Sequence, residues 1–373
     1  MTSLAVLLLL AQSPTWREAG PLIDRYCNDC HRPGQVGPFD FTTYDEASAY
    51  APEMIRYLTE NKMPPWHAAP GPWRFANSRQ IPRPALNTIL AWARANAPSG
   101  PYTPSARHPQ WTLGPPDLVL SQPAEHTVSG EKTVEIVSFS IDAATLGTTT
   151  SSRYVRAWDF RPSNRTLLHH ALLRQNGRPL AAWAMGDTGL SLPPGVAFRL
   201  EKGQPLTVEL HYFKRTLRPA RDLTRLALYF APRPPARVAY LLEANKPSLR
   251  IPANAPAHRE TSTFILPASV HLHAILPVFQ LLATEVRLGL PRQSPPGLHI
   301  QPYEHHVMLS YVLAQPVSLA QGDVLIVGAT YNNTTANEFN PHRVPRDVVF
   351  AENGLDETFR FWLTVSEPLK SRP

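Results

Sequence analysis

The chain has 373 residues, too many for one ordinary hydrophobic core, so two or three domains are the prior. Hydrophobic residues at 43% against 17% charged exclude a disordered chain, and 41 prolines favour short strands and loops over long helices. The formal charge of +7 is scattered rather than massed in Lys/Arg runs, which argues against nucleic-acid binding and leaves a solvated basic surface able to dock an acidic redox partner.

In chain order, residues 1–13 come first, with an apolar run from Leu4 to Ala11 that is too short to cross a bilayer. It reads as a signal segment with Ala11 near the cleavage site, and predicts an exported protein, periplasmic or secreted, with no stable membrane span. Residues 14–100 carry helical patterns. Thr43-Tyr44-Asp45-Glu46 is a capping box opening an amphipathic helix to about Asn61, and a second helix spans Pro84 to Ala97 with Leu86, Ile89, Leu90 and Trp92 spaced for burial. A Pro/Ser/Gly-rich linker follows at 101–110.

Beyond Trp111 the texture changes. Thr133–Ile141, Leu206–Phe213, Ala227–Phe230, Val324–Ala329 and Phe359–Val365 are short β-branched or aromatic runs punctuated by Pro and Gly, the signature of antiparallel sandwiches. Proline-rich Ala231–Arg237 divides them, predicting one β-sandwich over 111–235 and another over 236–373.

Two groups of residues carry chemistry. Cys27-Asn28-Asp29-Cys30-His31 is C-x-x-C-H, in which two thiols each add to a haem vinyl group and the adjacent His lies under the iron. Met63, in Met63-Pro64-Pro65-Trp66-His67, is the soft sixth ligand such a haem c calls for, with His67 the alternative. These are the only two cysteines, so a zinc site lacks ligands, and a thioredoxin-like pair lacks its βαβ context. The stretch 14–100 thus reads as a small all-α cytochrome c domain with one haem.

The histidines form the second group. His271-Leu272-His273 sets two imidazoles at i and i+2, on one face of a strand, where they can hold one metal. Adjacent His169 and His170 face oppositely on a regular strand and share a metal only at a bulge or strand end. His211 lies on another strand-like run; imidazole suits copper, zinc, iron and nickel alike. His258, His299, His305, His306 and His342 read as surface or outer groups. No G-x-x-x-x-G-K, G-x-S-x-G or H-E-x-x-H motif is present.

Taken in order, H-H, H-Y-F, H-x-H and Asp356-Glu357 resemble the copper type II monooxygenases, which include peptidylglycine α-hydroxylating and dopamine β-monooxygenase; with C-x-x-C-H-R-P-G and M-P-P-W-H ahead, they resemble bacterial haem-fused members. The resemblance covers about residues 111–368. It implies two jelly-roll sandwich domains after the cytochrome domain, each holding a copper. It puts an electron-transfer copper on His169, His170 and His211, and an oxygen-binding copper on His271, His273 and a methionine. The position after Asp356-Glu357 is Thr358, which leaves Thr358, or Met308 from a neighbouring strand, as third ligand. The activity implied is hydroxylation of a C–H bond of a small-molecule or peptide substrate by O2, with electrons from a periplasmic donor through the haem. The alternative is a non-catalytic electron-transfer or copper-binding protein with a degenerate second site.

Overall fold

The structure is a computed structural model that describes residues 13–103, 111–214 and 216–369. The signal segment lies outside the described residues except for Ser13, as do residues 104–110 of the linker. No helix among the described residues is long and apolar enough to cross a membrane. The chain divides into two compact units, Met1–Trp66 with Arg79–His108, and His67–Ser78 with Pro109–Pro373.

In the first unit, α1 (Trp16–Tyr26) starts at a Thr15/Glu18 capping box. The predicted helix from Thr43 is in fact two. Thr43 accepts from Glu46 N at 3.2 Å to start α2 (Tyr44–Ala49), and the chain breaks at Tyr50 before α3 (Ala51–Thr59), whose Pro52 has no N–H to continue the ladder. Helix α4 (Arg83–Arg94) turns Ile89 and Trp92 inward, where Trp92 meets Trp16 with ring centroids 5.5 Å apart. Trp16, Ile23, Met54 and Trp92 lie in one core that draws on α1, α3 and α4.

The second unit is β throughout its core. One long sheet runs Leu118–Ser121, Arg225–Phe230, Arg153–Arg161, Val196–Leu200, Arg237–Asn245, Arg360–Pro368, Val270–Val278, Tyr311–Leu319. Its neighbours are antiparallel except at the middle, where Val196–Leu200 and Arg237–Asn245 pair in parallel. Two four-stranded sheets flank it. The first comprises Val134–Ile141, Leu206–Phe213, Leu168–Gln175 and Arg178–Ala184, and the second His258–Ile265, Val324–Tyr331, Ala283–Gly289 and Leu298–Ile300.

Two strands of the first small sheet, Leu168–Gln175 and Arg178–Ala184, are buried on both faces. Ala171, Leu173, Ala181 and Trp183 join the large core with Trp158, Phe160 and Phe198, while Leu172, Ala182 and Ala184 pack on Leu241, Leu276 and Trp362. That is why Leu168–Leu173 is an unbroken buried run rather than an alternating one. The second small sheet meets the long one through an aromatic cluster in which Phe279 touches Tyr331, Phe359 and Phe361. Residues 67–78 lie along the strand edges of this unit: Ala69 N donates to His299 O, Ala76 N to Val312 O and Ala314 N to Arg74 O, at 2.7–2.8 Å.

These observations correct the fold class read from the sequence. The protein is predominantly β, and its few helices run to 12 residues at most. The stretches around the C-x-x-C-H motif and from 60 to 82 carry almost no regular structure, and no all-α cytochrome c domain is evident among the described residues. Nor do two separate jelly rolls follow. The proline-rich stretch 231–237 ends in Arg237, which pairs with Val196, so the long sheet runs through the predicted boundary.

Candidate metal centre

His169 and His170 open a strand, and the ladder with Leu206–Phe213 slips there: Leu168 faces Tyr212, but His170 faces His211. The extra residue is His169, the bulge needed for adjacent side chains to converge. His169 Nδ1 comes 3.2 Å from His170 Nδ1, and the rings of His170 and His211 stack with centroids 4.0 Å apart.

His211 stands between two carboxylates. Its Nε2 is 2.7 Å from Glu209 Oε1, and its Nδ1 is 3.3 Å from Glu352 Oε2. Glu209, two residues earlier on the same strand, also receives Arg174 Nε at 3.1 Å. Glu352 is held by Arg360, whose Nε pairs with Glu243 at 2.6 Å. Ligand atoms of His170, His211 and Glu352 all lie within 4.8 Å of one another. His170 Nε2 is buried and has no hydrogen-bond partner. An orphaned imidazole nitrogen is costly to bury in a protein, and a bound metal would satisfy it. With Glu209 taking the Nε2–H of His211, Nδ1, 3.3 Å from Glu352 Oε2, would be the nitrogen to share a metal with that carboxylate, the carboxylate–histidine arrangement that fixes tautomer and orientation.

The electrostatics differ among the three imidazoles. Burial, then the neighbouring imidazoles, holds His169 and His170 well below the ordinary histidine range, so both are neutral, as ligands must be. Burial works against a charged His211, but hydrogen bonds and charge from Glu209 and Glu352 outweigh it and raise its pKa. Glu352 is lowered to about 2: burial opposes ionisation, and His211 and Arg360 overcome it.

The other candidates are placed as follows. His169 Nε2 is 3.2 Å from His305 O, and the His169 and His305 rings are 4.3 Å apart, so His305 backs the cluster. His271 and His273 share a strand, but the ladder slips between Leu272 and Ala274, so His273 is itself a bulge and the simple i, i+2 argument does not hold. Their ring centroids are 6.4 Å apart. His273 Nε2 is 2.8 Å from Ser366 Oγ.

Thr358 does not join them. Ser366 is the residue opposite His271, whereas Thr358 precedes the strand's first residue, Arg360, which pairs with Val278 at the far end from His271. Its hydroxyl donates to Val278 O at 2.9 Å, while neighbouring Glu357 is buried and accepts from the N–H groups of Gln280, Leu282 and Thr358. Met308 is 1% exposed in the apolar cluster with Leu276, Val278 and Trp362, a core methionine.

In the first unit, Cys27 caps α1, and Cys30 and His31 follow in a turn closed by bonds from their N–H groups to Cys27 O. Both thiols are free, and burial, then Cys30, pushes the Cys27 thiol up to about 12. His31 Nδ1 donates to Phe39 O at 2.9 Å, which leaves Nε2 as the ligand atom, and its ring stacks on Phe41 at 4.5 Å. A Cβ on Gly37 would come 2.6 Å from Cys30 O and 2.8 Å from His31 Nδ1, so only glycine lets the loop close over the motif. The two free thiols and His31 Nε2 are the atoms that a covalent haem would use. Met63 is half-buried on the loop after α3; His67 belongs to the other unit, where its carbonyl accepts from Gln301 N.

No family model matches this chain, and no curated protein does either. Among solved structures, the major capsid protein P2 from Bacteriophage PM2 is similar over 68% of this chain and 97% of that one, at 10% identity and a TM-score of 0.35. An overlap of that size says nothing about this chain's chemistry.

Proposed function

We propose that this is a periplasmic redox metalloprotein that binds one copper ion at His170, His211 and Glu352, with His169 beside them, and carries haem c on Cys27, Cys30 and His31. The observation that carries the reading is the buried His170 Nε2 without a hydrogen-bond partner, in a residue whose ligand atom lies within 4.8 Å of those of His211 and Glu352. Copper is the choice because nitrogen and oxygen sites bind it most tightly among first-row divalent ions. Bound there, it would supply one-electron chemistry. His211 and His170 bind, Glu209 orients His211, and Arg360 positions Glu352. Electron transfer is the role these residues fit best, with the haem as the exchanging centre.

Hydroxylation is the second reading. It calls for another copper on His271 and His273, where burial lowers both imidazoles and holds His273 at about 4, so that both are neutral. The reaction would consume O2, a C–H bond, two electrons and two protons and yield C–OH and water. Thr358 bonds Val278 O and Met308 packs in an apolar cluster, which is why this reading stands second.

The test is iron and copper content per chain for protein made with haem-attachment machinery, read beside haem staining after denaturing electrophoresis. One copper and one covalent iron are expected, the haem lost when Cys27→Ser and Cys30→Ser are combined. Two imidazoles and a carboxylate also suit non-haem iron(II), so iron beyond the haem with no copper would replace the metal. No metal at all would end the reading.

A further inference from the structure

The adjacent imidazoles of His169 and His170 have four ring nitrogens, and hydrogen bonds account for three of them. His169 Nε2 lies 3.2 Å from the backbone carbonyl of His305, and His169 Nδ1 lies 3.2 Å from His170 Nδ1. The fourth, His170 Nε2, is buried with no hydrogen-bond partner. The residue that carries the carbonyl is itself anchored, since His305 Nδ1 donates to Phe279 O at 3.0 Å.

These contacts allow one arrangement of hydrogens. Both rings are buried and neutral, so each carries a single N–H. A carbonyl only accepts, so the His169 hydrogen sits on Nε2 and its Nδ1 is an acceptor. His170 then donates from Nδ1, and its Nε2 keeps a lone pair. Two nitrogens at this separation would also suit one tetrahedral ion about 2.0 Å from each, the usual metal–imidazole distance. That alternative moves the His170 hydrogen to Nε2, where it would be buried without an acceptor. Among the described residues, moreover, the group with ligand atoms within 4.8 Å of one another is His170, His211 and Glu352, without His169.

We propose that His169 is not a metal ligand but the positioning residue of His170: anchored through its own Nε2–H on His305 O, it takes the His170 Nδ1–H and so fixes Nε2 as the nitrogen with which His170 binds metal. Glu209 acts likewise on the neighbouring strand, where it takes the Nε2–H of His211 and leaves Nδ1 to bind. The two imidazoles thus bind through different nitrogens, each set by its own outer partner. The ligand role of His170 rests on the metal reading above; the hydrogen positions do not.

The first measurement uses the metal-free, full-length protein with nitrogen-15 in its histidine rings. Nuclear magnetic resonance separates ring nitrogens that carry hydrogen from those that do not, and His169→Asn and His170→Asn assign the signals. Hydrogen on Nε2 of His169 and on Nδ1 of His170 is expected; hydrogen on Nε2 of His170 overturns the proposal. The second measurement is copper binding against a competing chelator. His169→Leu should still bind one copper, about ten- to a hundredfold more weakly, as when an outer partner is removed. His169→Asn should restore most of that affinity, because its amide oxygen can accept from His170 Nδ1. Unaltered affinity in His169→Leu overturns the proposal, as does X-ray absorption by the wild type that counts three imidazoles on the copper rather than two. Should the leucine variant fail to fold, the wild-type resonance and absorption data still decide. Failure of the wild type to bind copper ends the metal reading and the ligand role of His170 with it. The wrong tautomer overturns the positioning role with copper binding intact, so the two failures are told apart.

Discussion

An imidazole packed against two carboxylates, as His211 is against Glu209 and Glu352, has one nitrogen to orient it and one to bind with. Half of this was open to inspection of the sequence. Glu209 precedes His211 by two residues, so the strand period puts them on one face, and the adjacency of His169 and His170 already required the bulge that the ladder contains. Glu352 left no such trace, because it arrives on a loop more than a hundred residues away. Thr358 misled for the opposite reason: its place beside Asp356-Glu357 says nothing of which end of a strand it occupies. Glu357 itself serves three backbone N–H groups in the core, and burial raises it from 4.5 to about 7 in spite of them. Between those pH values the unfolded chain releases this proton and the fold retains it, so stability falls as pH rises through the window and stays lower above it. The loss amounts to about 3 kcal/mol. Urea unfolding at pH 4.5 and pH 8 should show this decline in the wild type and a flatter profile in Glu357→Gln; equal slopes would contradict the assignment.

Strand alternation and helix capping set most elements where the residues indicate them, and the departures have local causes. Pro52 splits one amphipathic stretch into α2 and α3. Bulges at His169 and His273 re-aim side chains that regular strands would separate or align. The segment 67–78 could not be foreseen as part of a β unit, since it holds its place by edge hydrogen bonds and by Trp73, 7% exposed, rather than by a strand pattern. Gly297 makes that place possible, as a Cβ there would overlap the indole of Trp73. Gly297→Ala should therefore cost about 1–3 kcal/mol and shift tryptophan emission to the red as Trp73 is displaced. An unchanged emission spectrum and unfolding midpoint would show that the segment is not seated on Gly297.

Across the β unit, the long sheet joins what the sequence divides, because a proline-rich stretch reads as a linker whether or not the next strand returns to the same sheet. That continuity brings Glu352, from the later half, to His170 and His211 of the earlier half, so this cluster depends on the whole unit being folded. Burial keeps His169 and His170 neutral, while Glu352 stays ionised beside His211 and Arg360. The measurement that tests this most directly is a copper titration against a competing chelator in four proteins: wild type, His170→Ala, His211→Ala and Glu352→Ala. The wild type should bind one copper, the two histidine variants should lose it, and Glu352→Ala should weaken it by at least tenfold, the scale on which even outer partners act. Copper bound equally well by all four would place the metal elsewhere and contradict the account.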